Sequence, residues 1–180
     1  MLGAAAVAAA PRFPERPPPA HTGGFGEPSC AQCHSGAPLN ERLGTLSIDG
    51  VPESSVAGQR YRLIITLVRP GMRAAGFEAS ARWAAGDEIG RQAGRFTPGN
   101  PRVALTRDSV RAVDYVHHTL AGTDLTAPDT ARWTLEWTAP SGAAPVVFHV
   151  AANAADDDAS PLGDYIYLGT FVTRPRKGGQ

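Results

Sequence analysis

The feature that most restricts the fold of this chain is an alternation of apolar and polar residues with a period of two. Apolar side chains occupy every second position in residues 61–67, and the same pattern recurs in residues 133–138 and 146–150. Successive side chains of a β-strand point to opposite faces, whereas an amphipathic helix repeats about every 3.6 residues. The alternation therefore predicts strands with one buried face.

Glycine and proline divide the alternating segments into short elements. The 180 residues include 20 glycines and 16 prolines, and the dipeptides Pro70-Gly71 and Gly86-Asp87 each follow a predicted strand as turn signals. Strands at this spacing predict a single all-β domain folded as an antiparallel sandwich. We predict eight or nine strands, at residues 43–48, 60–67, 77–83, 90–96, 102–106, 113–119, 133–138, 146–150 and 165–173.

The clearest chemical signal is the stretch Cys-Ala-Gln-Cys-His at residues 30–34. It has the Cys-x-x-Cys-His pattern of c-type haem attachment. Two thiols at this spacing add to the vinyl groups of a protoporphyrin, and the adjoining imidazole becomes an axial ligand of the iron. The stretch predicts one covalent haem c, with thioether bonds to Cys30 and Cys33 and with His34 as the first axial ligand. We expect the motif to form one short helical turn.

Three other roles for the two cysteines fit the sequence less well. A structural zinc ion needs four ligands, and the chain has only 2 cysteines, so His21 and His34 would have to complete the set at an unusual spacing. A thioredoxin-like pair opens a helix after a buried strand, whereas a glycine-rich stretch precedes this one. A disulfide across two residues closes too small a loop to stabilise the fold much. Haem attachment is the interpretation that we favour.

The N-terminal part predicts export. Residues 2–10 are apolar and alanine-rich, too short to span a bilayer, and similar to the central region of a secretory signal without its basic start. A disordered terminus is the alternative. Residues 11–28 are rich in proline and glycine and lack apolar periodicity, so we expect few core contacts before Thr22. We divide the chain into a leader (1–20), a haem attachment segment (21–42), a β-sandwich domain (43–174) and a tail (175–180).

Several motifs together resemble a known family. They are Thr-Gly-Gly-Phe-Gly-Glu at 22–27, the haem motif at 30–34, Ala-Gly-Phe-Glu-Ala at 75–79, Tyr-Val-His-His-Thr at 115–119, Trp-Thr-Leu-Glu-Trp-Thr-Ala-Pro at 133–140 and Gly-Asp-Tyr-Ile-Tyr at 163–167. They resemble the Reeler-like β-sandwich domains and, more closely, the bacterial choice-of-anchor V proteins. The resemblance implies an exported immunoglobulin-like sandwich, in many bacterial members with a c-type haem motif on its N-terminal side. Many relatives end in an anchoring tail that residues 174–180 do not resemble, so attachment to a surface stays open.

The sequence leaves the second axial ligand of the iron open. His118 is our first choice because it lies in the family-like Tyr-x-x-His-Thr segment and faces opposite to His117. Reeler domains without haem have a similar histidine, so a structural role is the alternative. His21 can fold back from the leader, and Met72 follows a turn, so both are further candidates. An open sixth position is the remaining case, and we expect His149 to be a solvated or edge histidine.

An acidic loop offers a weaker metal site. Asp156, Asp157 and Asp158 are near Asn153 and Asp164 in the sequence and together supply the hard oxygens that calcium prefers. The spacing is not that of an EF-hand, and acidic runs in loops are usually solvated. Calcium therefore ranks well behind haem as a predicted cofactor.

Composition and motifs favour a redox role over catalysis. The 17 basic and 17 acidic residues balance, so nothing predicts binding to nucleic acid, and no stretch predicts a transmembrane span. No catalytic triad order, phosphate loop or paired-carboxylate motif stands out, and we expect an electron-transfer protein rather than an enzyme.

The predicted function is an exported monohaem c-type cytochrome that acts as an electron carrier or redox subunit, in the periplasm or outside the cell. Export fits because bacteria attach haem c outside the cytoplasm. Its expected partner is a redox protein or a membrane or extracellular complex. The alternative is an exported binding or assembly subunit of such a complex, with a structural haem. A peroxidase or gas sensor is a third hypothesis, and it requires a vacant sixth iron position.

Overall fold

The fold is described from a computed structural model, which covers residues 16–158 and 160–176. The predicted signal-like stretch at residues 2–10 and residues 177–180 of the predicted tail lie outside the described residues. The described chain forms two single-turn 3₁₀ helices, at Cys30–Gln32 and Leu120–Gly122. It also forms ten strands: β1 (Thr45–Asp49), β2 (Ser54–Ser55), β3 (Arg60–Val68), β4 (Ala74–Trp83), β5 (Arg95–Pro98), β6 (Val103–Asp108), β7 (Val113–His118), β8 (Thr130–Thr138), β9 (Val146–Ala155) and β10 (Tyr165–Pro175).

The strands form two sheets that pack face to face. One sheet has four strands in the order β1, β3, β8, β5, and the other has six in the order β2, β10, β9, β4, β7, β6. All pairs are antiparallel except β2 with β10, which run parallel with Ser54 opposite Arg174. The predicted all-β antiparallel sandwich is confirmed. Strand β2 was not predicted, because two residues are too few to show an alternation.

Aromatic side chains fill the space between the sheets. Phe77 packs on Trp133 with ring centroids 4.7 Å apart, and Phe148 meets Trp137 edge to face at 4.9 Å. Both of these indole N–H groups donate to backbone carbonyls, at 2.8 and 3.0 Å, so burying them leaves no donor unpaired. Strand spacing predicts that all three tryptophans are core residues, and this is confirmed because Trp83 is the most exposed of them at 9%.

Strand β4 is buried on both faces, although the alternation predicts one buried face. Phe77 and Ala79 pack between the two sheets. Glu78, Ser80 and Arg82 alternate with them and point to the outer face of the six-stranded sheet, yet each is at most 4% exposed. Another part of the chain therefore covers this outer face.

The cover is the N-terminal segment, residues 16–35. Ala20 is 4% exposed and packs with Val113 and Tyr115 of β7. The Glu27 carboxylate pairs with the Arg82 guanidinium and accepts a hydrogen bond from the Tyr115 hydroxyl. Buried ions are stable only when paired, so this cluster anchors the segment to the sheet. Ala20 thus departs from the expectation that residues before Thr22 stay out of the core.

The anchored segment also holds the cysteine motif, which forms the predicted single helical turn at Cys30–Gln32. One predicted strand begins later than expected: β5 starts at Arg95, because Gly90 and Gly94 have φ values of +79° and +77° that a strand does not allow. Between these glycines, residues 91–93 form backbone hydrogen bonds and a single bridge with β4. Within residues 16–158 and 160–176, no helix is long and apolar enough to cross a membrane.

Candidate functional site

A cavity of about 370 Å³ lies where β4 begins and where β7 and β9 end. Its walls come from the N-terminal segment, from these three strands and from the loop before β10. Small-molecule and cofactor sites typically have volumes of about 300–1,000 Å³, and this cavity lies within that range. The chemically active residues that line it are His21, Cys30, Cys33, His34, His118, Asn153, Asp157 and Asp164.

All three predicted haem-attachment residues line this cavity. Local hydrogen bonds shape the turn that presents them: the Ser29 hydroxyl accepts from the Ala31 N–H, and the His34 N–H donates to the Cys30 carbonyl at 2.9 Å. The turn follows directly on the anchored part of the N-terminal segment. Cys30, Cys33 and His34 are therefore held against the sandwich as one unit.

The His34 ring is fixed by a buried carboxylate. Its Nδ1 lies 2.5 Å from Oδ2 of Asp164, which is 2% exposed. The Asn153 side-chain amide donates to the same Oδ2 at 2.9 Å. Among the described residues no hydrogen bond involves His34 Nε2, and the His34 side chain is 35% exposed. The ring is thus oriented through one nitrogen, and the other is available to a ligand in the cavity.

The predicted second ligand, His118, lines the same cavity. The β4–β7 ladder ends at Glu78 and His117, and beyond it the His118 ring approaches the Phe77 backbone, with Nδ1 3.0 Å from the N–H nitrogen and 3.1 Å from the carbonyl oxygen. When Nδ1–H donates to the carbonyl, Nε2 has a free lone pair. Burial lowers the pKa of His118 to about 4, so the imidazole is neutral at pH 7.

The other candidate ligands have different surroundings. His21 lines the cavity, but its ring already contacts the Pro18 and Pro19 carbonyls and, through Nε2, the Gln32 side chain at 2.9 Å. Met72 is 5% exposed in the hydrophobic core and is not on the cavity wall. Of the four candidate side chains, the cavity thus brings His34 together with His118 and His21.

The two remaining histidines are occupied on the outer face. His117 contacts the Thr106 hydroxyl at 2.9 Å and the His118 carbonyl at 2.7 Å. His149 is half-buried against the edge of Phe25, with ring centroids 5.3 Å apart. We expected a solvated or edge position for His149, and the N-terminal segment covers it instead.

The thiols have little of the character of a redox pair. Burial and, to a smaller extent, the nearby Glu78 carboxylate together raise the pKa of the Cys30 thiol to about 12. Reactive thiols in thioredoxin-like sites have a lowered pKa, because the thiolate is the nucleophile. Both cysteines are unbridged. A low-pKa dithiol function therefore finds no support in this site.

The cavity suits a haem in three respects. A porphyrin supplies four nitrogens to the iron, so two imidazoles from the protein would complete its coordination. A haem site therefore needs no cluster of three or more metal-ligating side chains, and the described residues hold none. The walls include Ala74, Ala75 and Gly76 of β4, which are small. A Cβ at Gly76 would lie 2.7 Å from Cε1 of His118, so glycine is what leaves room for that ring.

The acidic loop shows no gathering of calcium ligands in the described residues. Asp156 Oδ1 accepts from the Asp158 N–H at 3.1 Å, which is a local turn contact. Asp164 and Asn153, which are among the candidate calcium ligands, both contact His34. Of the candidate calcium ligands, Asp164 Oδ2 therefore contacts the histidine, and Asn153 does so through its amide nitrogen.

Sequence reasoning missed Glu78, a fully buried carboxyl group near the motif. Its Oε2 accepts the His21 N–H at 2.6 Å, and its Oε1 has no partner among the described residues. Burial raises its pKa to about 8, with the Glu27 carboxylate adding to the rise, while the His21 N–H and the Arg82 charge act in the opposite direction. Its alternation with Phe77 and Ala79 indicated a solvent-facing position, and nothing in the sequence revealed the cover.

We expect Glu78 to make the protein less stable as the pH rises from 6.5 to 8.5. Its pKa is higher in the folded state than in the unfolded state, so its stabilising proton is bound at low pH and lost as the pH passes through about 8. The free energy of unfolding should fall with a slope of up to about 1.4 kcal/mol per pH unit. Urea denaturation of the wild type and Glu78→Gln at several pH values measures the slope.

The isosteric Glu78→Gln removes the titrating proton, so the free energy of unfolding of this variant should change less with pH than that of the wild type. Glu53→Gln is the matched control, because Glu53 is exposed and its replacement should leave the wild-type slope. An equal pH dependence of the free energy of unfolding in the wild type and in Glu78→Gln would contradict the prediction.

Comparison with known proteins supports the architecture. No family model matches the chain, and no curated protein matches it either. Similar solved structures include the protein AvmM, which catalyses macrocyclization in alchivemycin A biosynthesis, at 11% identity, with 79% of this chain and 93% of that chain covered and a TM-score of 0.51. They also include a cohesin module of a Clostridium perfringens family 33 glycoside hydrolase, at 12% identity, 76% and 98% coverage and a TM-score of 0.50.

The reeler domain of human F-spondin is also similar, at 19% identity, 76% and 94% coverage and a TM-score of 0.44. At such identities the likeness to AvmM and to the cohesin module extends to the β-sandwich fold alone. The choice-of-anchor V resemblance stays a prediction.

Proposed function

We propose that this protein is an exported monohaem c-type cytochrome that acts as an electron carrier or as a redox subunit. Cys30 and Cys33 would form the thioether bonds, and His34 would bind the iron through Nε2. His118 would be the second axial ligand. The choice-of-anchor V resemblance implies the same cofactor and the same compartment.

The observation that carries this proposal is that His118 lines the same cavity as the whole attachment motif. Nothing in the local sequence requires a strand-end histidine to meet a segment from the N-terminus. Each imidazole has one nitrogen engaged, His34 with Asp164 and His118 with the Phe77 backbone, and one nitrogen without a partner among the described residues. A six-coordinate haem with two histidine ligands requires one unengaged nitrogen on each imidazole, and this supports the proposal.

The bound haem would supply a one-electron redox centre, and the protein residues would determine its surroundings. Ala74, Ala75 and Gly76 of β4 would give the haem an apolar wall on one side, and the hydrogen bonds to His34 and His118 would limit rearrangement of the ligands. Part of the site is accessible, since the His34 side chain is 35% exposed and Leu120, on the cavity wall, is 58% exposed. An accessible apolar rim suits contact with a partner protein in outer-sphere electron transfer.

A reduced-minus-oxidised spectrum of the purified protein, followed by a redox titration, tests the proposal. We expect a c-type spectrum that interconverts reversibly as a one-electron couple, and rapid oxidation or reduction by a partner. A haem that does not change oxidation state between physiological potentials would instead favour the binding or assembly subunit with a structural haem. Absence of bound haem after export in a host able to attach it would contradict both.

A further inference from the structure

We propose that Asp164 is a positioning residue for His34: it keeps the Nδ1 proton on the ring, directs Nε2 into the cavity and stabilises the oxidised form of the bound haem. This inference rests on the proposed function and names what regulates the potential of that same site. The observation behind it is a buried carboxylate whose described hydrogen-bond partners are the motif histidine and one amide.

The distances determine which nitrogen of His34 is protonated. Nδ1 lies 2.5 Å from Asp164 Oδ2, whereas the Asn153 amide nitrogen is 3.1 Å from the same Nδ1. A carboxylate only accepts hydrogen bonds, so the short contact is an Nδ1–H donating to Asp164. The Asn153 amide then donates to the carboxylate at 2.9 Å. When the imidazole is neutral with its proton on Nδ1, Nε2 bears the lone pair.

Asp164 has no lysine or arginine partner within the part of the chain that the structure describes. The side chain is 1% exposed, and its Oδ1 is buried without a hydrogen-bond partner in the described residues. No lysine or arginine of the described chain forms a salt bridge with it. An ionised group in such a place is costly unless a positive charge develops nearby. The partner that would meet this need is an iron centre that gains one positive charge when it loses an electron.

Outer-shell carboxylates of this kind orient a ligating histidine and make it more basic. Both effects act in one direction, since a more basic ligand and a nearby negative charge each stabilise the oxidised iron. The carboxylate therefore holds the midpoint potential low.

Asp164→Asn tests the charge while conserving the shape. We expect the equilibrium with a fixed one-electron reference couple to shift roughly tenfold toward the reduced form, which raises the midpoint potential by about 59 mV. Asp164→Glu, which restores the charge, should return the potential toward that of the wild type. The matched control is Asp157→Asn: Asp157 lines the same cavity, but it is exposed and makes no hydrogen bond to His34 among the described residues.

A purely structural role for Asp164 predicts a different result. It would lower the melting temperature of Asp164→Asn and leave the midpoint potential at the wild-type value. An unchanged potential in Asp164→Asn, or an equal rise in Asp157→Asn, would overturn the proposal.

A second measurement does not depend on haem. In the chain produced without haem, the ¹⁵N chemical shifts of His34 report which ring nitrogen bears the proton. We expect the Nδ1–H tautomer in the wild type and its loss in Asp164→Leu, which has no acceptor. An Nε2–H tautomer in the wild type would overturn the positioning role. A wild type that shows the Nδ1–H tautomer but never binds haem would refute the proposed function while leaving this role of Asp164 intact.

Discussion

Replacing Cys30 and Cys33 together by alanine should abolish covalent haem staining on a denaturing gel. Both thiols line the cavity beside His34, and no other cysteine in the chain can form a thioether bond. Each single variant retains one thiol, so we expect reduced but detectable staining from Cys30→Ala and from Cys33→Ala. These single variants are the matched controls for expression and export.

The double variant should still fold. Both cysteines are only partly buried, and the core between the sheets is built from other residues, chiefly Trp133, Trp137 and Phe77. Thermal unfolding followed by circular dichroism should therefore show a cooperative transition with a loss of about 1 kcal/mol in the haem-free state. Covalent staining that persists in the double variant would contradict the attachment sites.

Replacing His118 by alanine should convert the haem from six-coordinate low-spin to five-coordinate high-spin and allow carbon monoxide to bind. The change removes the imidazole that lines the cavity together with His34. Optical spectra with and without carbon monoxide measure the conversion. Added imidazole should restore the low-spin spectrum, since it replaces the missing ligand. Two imidazole ligands also imply a lower potential than a histidine–methionine pair would have.

His117→Ala is the matched control for this experiment. His117 is the neighbouring residue, is also buried and contacts Thr106 rather than the cavity. Its loss should leave the low-spin spectrum in place. The His118 variant loses the contact to the Phe77 backbone as well, so a decrease in stability of about 1–3 kcal/mol is expected alongside the spectral change. A low-spin spectrum that persists in His118→Ala would reject His118 and make His21, then Met72, the next variants to examine.

The strands and the chemical motif could be predicted because each depends on residues close together in the chain. Alternation reports which side chains share a face, and it located nine of the ten strands, missing β2 because Ser54 and Ser55 are too short a run. The spacing of Cys30, Cys33 and His34 is likewise local, since two thiols must reach one edge of a porphyrin. These predictions needed no knowledge of what packs against what.

Alternation leaves open what covers each face, and at Glu78 this made the prediction incomplete. The residue alternates out of the core, but the N-terminal segment lies over it, held by the Glu27–Arg82 ion pair. From the proline-rich composition of residues 11–28 we expected few core contacts before Thr22. Buried charge pairs between distant residues hold the segment on the sheet instead, and such pairs leave no periodic signal in the sequence.

The sequence by itself determined that the chain is a β-sandwich, and it supplied the Cys-x-x-Cys-His pattern for which we propose haem attachment, because strand periodicity and cysteine spacing are properties of neighbouring residues. Only the tertiary structure decided that His118 shares a cavity with that motif, that Met72 lies in the core and that Asp164 contacts His34. Those contacts join segments far apart in the chain. They depend on how the sheets pack and on where the β4–β7 ladder ends, which the local pattern does not encode.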